Sequence, residues 1–145
     1  MIGPFKGEYR FLSNFEPAEV SFEGVAYPSV EHAFQAAKTL DLAQREGVRA
    51  AKSPSEAKKL GRRVALRSDW ERIKLDIMKD LVQQKFQHPE LRQRLLATGN
   101  ELLIELNAFN DRFWGVCRGN GKNHLGRILM EVRSELRTEL EAKEA

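Results

Sequence analysis

Apolar residues recur at helical spacing most clearly at Ile73, Ile77, Leu81 and Phe86, with Trp70, Met78 and Val82 beside them. The stretch opens on Ser68-Asp69-Trp70-Glu71, which has the form of a capping box with Ser68 as the cap and Glu71 at the third position. A second stripe, Leu125, Ile128, Leu129, Val132 and Leu136, predicts a closing helix near residues 125–142. Shorter helices are expected over 30–40, capped by Ser29, over 42–51, over 55–64 after the Ser53-Pro54-Ser55 break, and from Pro89 to a stop at Gly99. Residues 20–27 place apolar groups on both sides of Glu23-Gly24, the pattern of a small hairpin. Residues 102–106 read as a short buried strand, residues 3–14 as an irregular or short extended segment. A long loop carries Gly115, Gly119 and Gly121. The expectation is a mainly helical, multihelical α+β fold with a small β element near the N-terminus, built as a single domain over 1–145 with no repeat and no linker.

Composition narrows the function classes. The chain has 145 residues, 41% hydrophobic and 31% charged, which describes an ordinary globular protein with enough chain for one core. A net charge of +3 suits an anionic ligand such as a phosphate and falls short of demanding a nucleic-acid partner. The one cysteine, Cys117, excludes an intrachain disulfide and has no histidine at a spacing that marks a thiol nucleophile. His32, His88 and His124 are scattered, so no metal site and no cofactor are expected. The N-terminus lacks a signal-peptide pattern, and no apolar run is long enough to span a membrane. A cytoplasmic protein with no membrane partner is expected. The sequence carries no signal for an oligomeric state.

Three segments hold polar residues that packing does not explain. Glu31, Gln35 and Lys38 lie one turn apart on a single face of the predicted 30–40 helix, either as a solvated charged stripe or as a site, with Tyr27 just before it and Phe34 within it. In residues 9–15, Arg10, Ser13 and Asn14 alternate with aromatics, which suits either stacking and edge recognition of a flat base or an arm that plugs the core. The third runs from Asn110-Asp111-Arg112-Phe113-Trp114-Gly115 to Asn123-His124. It reads as a glycine loop ahead of a helix N-terminus, where backbone N–H groups can receive an anion, or as a plain turn with Asn123 as the cap. It matches neither a P-loop nor a dinucleotide fingerprint. The basic run Lys58-Lys59, Arg62-Arg63 and Arg67 reads as a solvated helix face or as a means of steering a phosphate.

Taken in order, the blocks Phe11-Leu12-Ser13-Asn14-Phe15, residues 27–38, Leu66 to Trp70, Asn110-Asp111 with Trp114-Gly115, and residues 121–130 resemble the YbiA/NADAR family over nearly the entire chain. The resemblance implies an N-glycosidase of ribosylamino-pyrimidine phosphates, early riboflavin intermediates, with a small-molecule ribose-phosphate substrate. The alternatives are an ADP-ribosyl-guanine hydrolase acting on ADP-ribosylated DNA, and a non-catalytic module that binds ADP-ribose or a nucleotide. It also implies functional positions at Glu31, Trp70, Asp111 and Trp114, a covalent role for Lys38, and ligand binding at Asn14 and Asn123. Glu31 and Asp111 are the carboxylates available to stabilise an oxocarbenium-like state or move a proton, and Lys38 offers an imine route instead of direct water attack. Trp70 either packs the core or stacks on the base.

Overall fold

A computed structural model describes residues 1–145, and the chain forms two compact units, Asn14–Lys85 and a second made of Met1–Ser13 with Phe86–Ala145. The first unit holds strands β1 (Pro17–Phe22) and β2 (Val25–Ser29), followed by helices α1 (Val30–Ala37), α2 (Leu42–Arg49), α3 (Pro54–Gly61) and α4 (Trp70–Lys85). The two strands pair antiparallel, with Val20 opposite Tyr27 and Phe22 opposite Val25. Glu23 and Gly24 both take positive φ, 47° and 80°, the backbone that lets a two-residue turn follow the twist of its strands. The predicted hairpin is therefore present.

Ser29 ends β2 and caps α1, its hydroxyl accepting the His32 N–H at 3.1 Å. The helix closes at Ala37, three residues earlier than expected, because the buried Thr39 hydroxyl accepts the Asp41 N–H and Asp41 begins the next cap. All eight residues of α1 are buried, against β1, β2, α2, α3 and α4. α3 starts at Pro54, one residue before the expected Ser55, with Ser53 as its cap.

The Ser68 capping box does not form. The N–H groups of Arg72 and Ile73 bond to the Asp69 carbonyl, so the helix begins at Trp70, while Arg67 holds the Asp69 carboxylate at 2.7 Å and Glu71 pairs with Lys74. The buried face of α4 is Trp70, Met78, Leu81, Val82 and Lys85, with Ile73 and Ile77 only half-buried. The face is rotated from the stripe read in sequence, and it takes in a lysine.

In the second unit, residues expected to be irregular or extended contain a 3-10 helix, Gly7–Leu12, which buries Phe11 and Leu12 and packs near helix α5 (Pro89–Leu96). Arg94 of α5 lies over the Phe11 ring at 4.3 Å and donates to the Glu8 carbonyl. Gly99 follows α5 with φ 64°, as its place after a helix predicts. Residues 102–106 are extended but form no strand. Leu103 makes a single parallel bridge to Ile2 and Leu106 one to Val116, while Leu102 is exposed. Helix α6 (His124–Glu144) buries the expected Leu125, Ile128, Leu129, Val132 and Leu136. No helix is long and apolar enough to cross a membrane.

Lys85 is 1% exposed, and burial pushes its ammonium down to about 7, with the Glu16 charge opposing. Between pH 7 and the ordinary lysine value the unfolded chain binds the extra proton, so folded stability rises with pH across that window and is flat below it. Urea titrations from pH 7 to 10 should show a gain on the order of 4 kcal/mol. Lys85→Met should remove the slope, and a slope that survives this substitution would refute the assignment.

Candidate active site

The face of α1 that reads as a charged stripe in sequence is not solvated. Glu31 is 7% exposed and Gln35 5%, and Lys38 at the helix end is half-buried. Burying a carboxylate is costly unless it is hydrogen-bonded, and the Gln35 Nε2 amide donates to Glu31 Oε1 at 2.8 Å. The Glu31 backbone N–H bonds to the Asn14 carbonyl at 3.2 Å, and the Asn14 side chain reaches the Met78 sulfur at 3.5 Å. This segment is thereby fastened to the first turn of α1.

The other end of α1 is fixed by the chain entering α4. The Arg67 N–H donates to the Lys38 carbonyl at 2.8 Å, and Trp70 begins its helix three residues on. Trp70 is 5% exposed and packs on Phe34 with ring centroids 5.0 Å apart, so its ring belongs to the core rather than to an open surface. Burial lowers the affinity of Lys38 for its proton; the Glu31 charge opposes this, and Arg62, Lys58 and Lys74 add to it. One face of α1 therefore carries a buried carboxylate and an amine biased toward its neutral, nucleophilic form.

Tyr27 is buried, and burial raises its hydroxyl above the ordinary value. Its charged neighbours are Arg45, Glu46, Arg49 and Glu23, which places it with α2 and the hairpin turn and away from Glu31 and Lys38. His32, also buried, is satisfied at both ring nitrogens by the Ser29 hydroxyl at 2.7 Å and the Ala51 carbonyl at 3.0 Å, and serves packing. A cavity of about 180 Å³ between α2 and α3 is lined by Gln44, Gly47, Val48, Leu60, Arg63 and Val64 and by none of the candidate residues. The position that sequence reasoning passed over is Gly61 of α3. Its signal was an isolated glycine inside a helical pattern, which marks close packing.

In the second unit, Asp111 organises its own loop. Its Oδ1 accepts the N–H groups of Phe113 at 3.1 Å and Trp114 at 2.9 Å, while Asn107 brackets its backbone from both sides. Trp114 is half-buried, edge-on to Phe113 at 4.8 Å and to His124 at 6.4 Å. The glycine loop does not leave the α6 N-terminus open to an anion. The N–H groups of His124 and Leu125 are taken by the carbonyls of Phe113 and Trp114, at 3.1 and 3.0 Å. Asn123, left-handed at φ 52°, makes no side-chain cap. Its amide accepts from the Glu105 N–H and donates to the Leu103 carbonyl, which ties the extended segment to the start of α6. Arg10 is exposed on the 3-10 helix and Ser13 half-buried at its end. The first unit thus gathers Asn14, Glu31, Gln35, Lys38 and Trp70 around α1, and the second gathers Asp111, Trp114 and Asn123 in one loop.

The sequence matches the NADAR domain family over residues 3–137. It is 42% identical to the N-glycosidase YbiA of Escherichia coli, the match spanning 91% of this chain and 84% of that protein. A solved structure of Escherichia coli YbiA superposes with a TM-score of 0.83 at 40% identity, covering 95% of this chain and 84% of that one. A riboflavin biosynthesis protein of Vibrio vulnificus is 41% identical over 88% of this chain, which corresponds to 36% of that longer protein. The mainly helical α+β fold expected from sequence is the one found, and the structure of Escherichia coli YbiA shares it.

The electrostatic reading of α1 has a direct check. Lys38, followed by carbon-13 NMR of dimethylated lysines, should titrate below the exposed lysines, and Glu31→Gln should lower it further by removing the charge that opposes the shift. Titration of Lys38 together with the exposed set would refute the neutral-amine reading.

Proposed function

The chain belongs to the NADAR domain family and is an N-glycosidase, and from that premise we propose that it hydrolyses the C1–N bond of ribosylamino-pyrimidine phosphates, releasing ribose 5-phosphate. The observation that carries the chemistry is the buried Glu31 with a half-buried, proton-shy Lys38 on the same helix face. The riboflavin biosynthesis names of relatives support the substrate class. The family match, over residues 3–137, runs through both units, which supports reading residues 1–145 as one functional domain.

The leaving group departs with the electron pair of the C1–N bond, so positive charge develops at C1 and a proton must reach the departing nitrogen. Glu31 as a carboxylate stabilises that charge. The neutral Lys38 amine attacks C1 and hands its proton to the leaving nitrogen. Ring opening then gives an imine between Lys38 and C1, and water cleaves it to return the amine and free the sugar aldehyde. Direct water attack, with a carboxylate taking the water's proton, is the other path. Lowered basicity of Lys38 supports the imine. Asp111 serves by holding the loop that presents Trp114, and Asn123 by anchoring that loop's helix. Asn14, Gln35 and Trp70 serve the α1 face, while ligand roles for Arg10, Ser13 and Tyr27 rest on the polar and aromatic pattern of the sequence.

A second reading, removal of ADP-ribose from guanine in DNA, is favoured by the exposed Lys59, Arg62 and Arg63 at the end of α3. It requires affinity for the modified strand that falls steeply with salt.

Purified protein should release ribose 5-phosphate from the pyrimidine substrate. Glu31→Ala should lower kcat by ~10² or more, and Lys38→Ala by at least as much if the imine forms. Borohydride added during turnover should reduce the imine and leave a sugar-phosphate adduct on Lys38. Release from ADP-ribosylated DNA alone would move the assignment to the second reading, and tight nucleotide binding with no turnover would leave a binding module. Full activity in Lys38→Ala would exclude the covalent path.

A further inference from the structure

We infer that Gln35, clamped by the missing side chain of Gly61, is the positioning residue that holds the Glu31 carboxylate in its working orientation. The inference rests on the assignment of Glu31 proposed above. Gln35 Nε2 donates to Glu31 Oε1 at 2.8 Å, and both side chains are buried on α1. Gln35 Oε1 is also buried, and it has no hydrogen-bond partner. Leaving a buried acceptor unmet is unfavourable, and rotating the amide would bring that oxygen against the carboxylate oxygen of Glu31. The NH₂ group is therefore the end that faces Glu31, and the orphaned oxygen is the consequence of giving the carboxylate a neutral donor.

What prevents the amide from relaxing is α3. A Cβ built on Gly61 would collide with Gln35 Oε1 and would lie 2.7 Å from its Cδ and 2.9 Å from its Cβ. The helix backbone thus packs directly onto the Gln35 side chain along most of its length. Gly61 is not at a positive φ, so its own backbone has no need of glycine. A glycine in a helix is normally less favourable than alanine. The glycine is explained by the space that the Gln35 side chain occupies.

An alanine at 61 would meet the Gln35 Cβ, which is fixed to the α1 backbone, as well as the amide, so it should push the amide off Glu31 and also part α3 from α1. The test uses the full chain with Gly61→Ala, Gln35→Met and Glu31→Ala, read by melting temperature, by kcat and KM on the pyrimidine substrate, and by the proton NMR signal of the Gln35 side-chain amide. Wild type should show one amide proton far downfield, as a carboxylate-bonded N–H does, and Gly61→Ala should lose it. Gly61→Ala should melt below the wild-type temperature, and assayed while still folded its kcat should fall about tenfold or more, with KM within about twofold. Gln35→Met should reproduce the kinetic loss. Wild-type kcat in Gly61→Ala, or a wild-type amide lacking the downfield proton, would overturn the inference. An active Glu31→Ala would instead overturn the assignment of Glu31 itself. If wild type proves inactive on this substrate, that failure belongs to the substrate proposal and the amide signal decides the positioning role.

Discussion

The burial of α1 constrains everything around it. A helix of eight residues with no solvent face is ordinarily apolar all round, yet this one contains Glu31, His32 and Gln35. Each must find partners inside the protein, and each does so through a different neighbour. His32 uses the cap residue Ser29 and the carbonyl of Ala51, and Glu31 uses Gln35. Only the Gln35 oxygen goes without. The hairpin, α2, α3 and α4 can then be understood as the walls that exclude water from the Glu31 carboxylate and half-enclose the Lys38 amine, so that the charge acts in a medium where it is strong.

The two units use polar side chains in opposite ways. Around α1 they are enclosed side by side, and the Glu31 charge acts on the proton affinity of Lys38. In the 105–125 loop they are used on backbone: Asp111 on two N–H groups, Asn107 on Asp111, and Asn123 on the extended segment at 103–105. A loop of that length holds a single shape because each amide and carboxylate replaces a missing secondary-structure bond. The close approach at Gly115, where a Cβ would strike the Glu105 carbonyl and carboxylate, shows how little room remains.

Local chemistry made much of this fold legible. Glu23-Gly24, the Ser29 cap, the start of α5 at Pro89 and the α6 stripe each depend on neighbours within a few residues, and each appears as read, while α5 stops at Leu96, short of the expected Gly99. The misreadings have tertiary causes. Ser68 lost its cap because Arg67 engages Asp69 and the chain bonds to the end of α1. Residues 102–106 are apolar enough for a strand but meet only single partners, Ile2 and Val116. For the candidate site, the spacing of Glu31, Gln35 and Lys38 was visible, and their common face was correct. Their enclosure was not visible, since it is created by helices that pack from as far along the chain as Gly61 and Trp70. Lys85 escaped for the same reason: a lysine in an apolar stripe gives no local sign that it faces inward.

The Ile2–Leu103 bridge has a consequence for how the chain comes off the ribosome. Ile2 must wait for a partner synthesised roughly a hundred residues later, about 5–20 s at ordinary elongation rates. Asn14–Lys85 closes on itself and needs nothing that follows it in order to pair its strands or enclose α1. The nascent chain therefore has a self-sufficient middle and an N-terminal strip, bearing Ile2, Phe5, Phe11 and Leu12, that stays uncovered until the last third has emerged. Until then those four apolar side chains are open to a ribosome-associated chaperone.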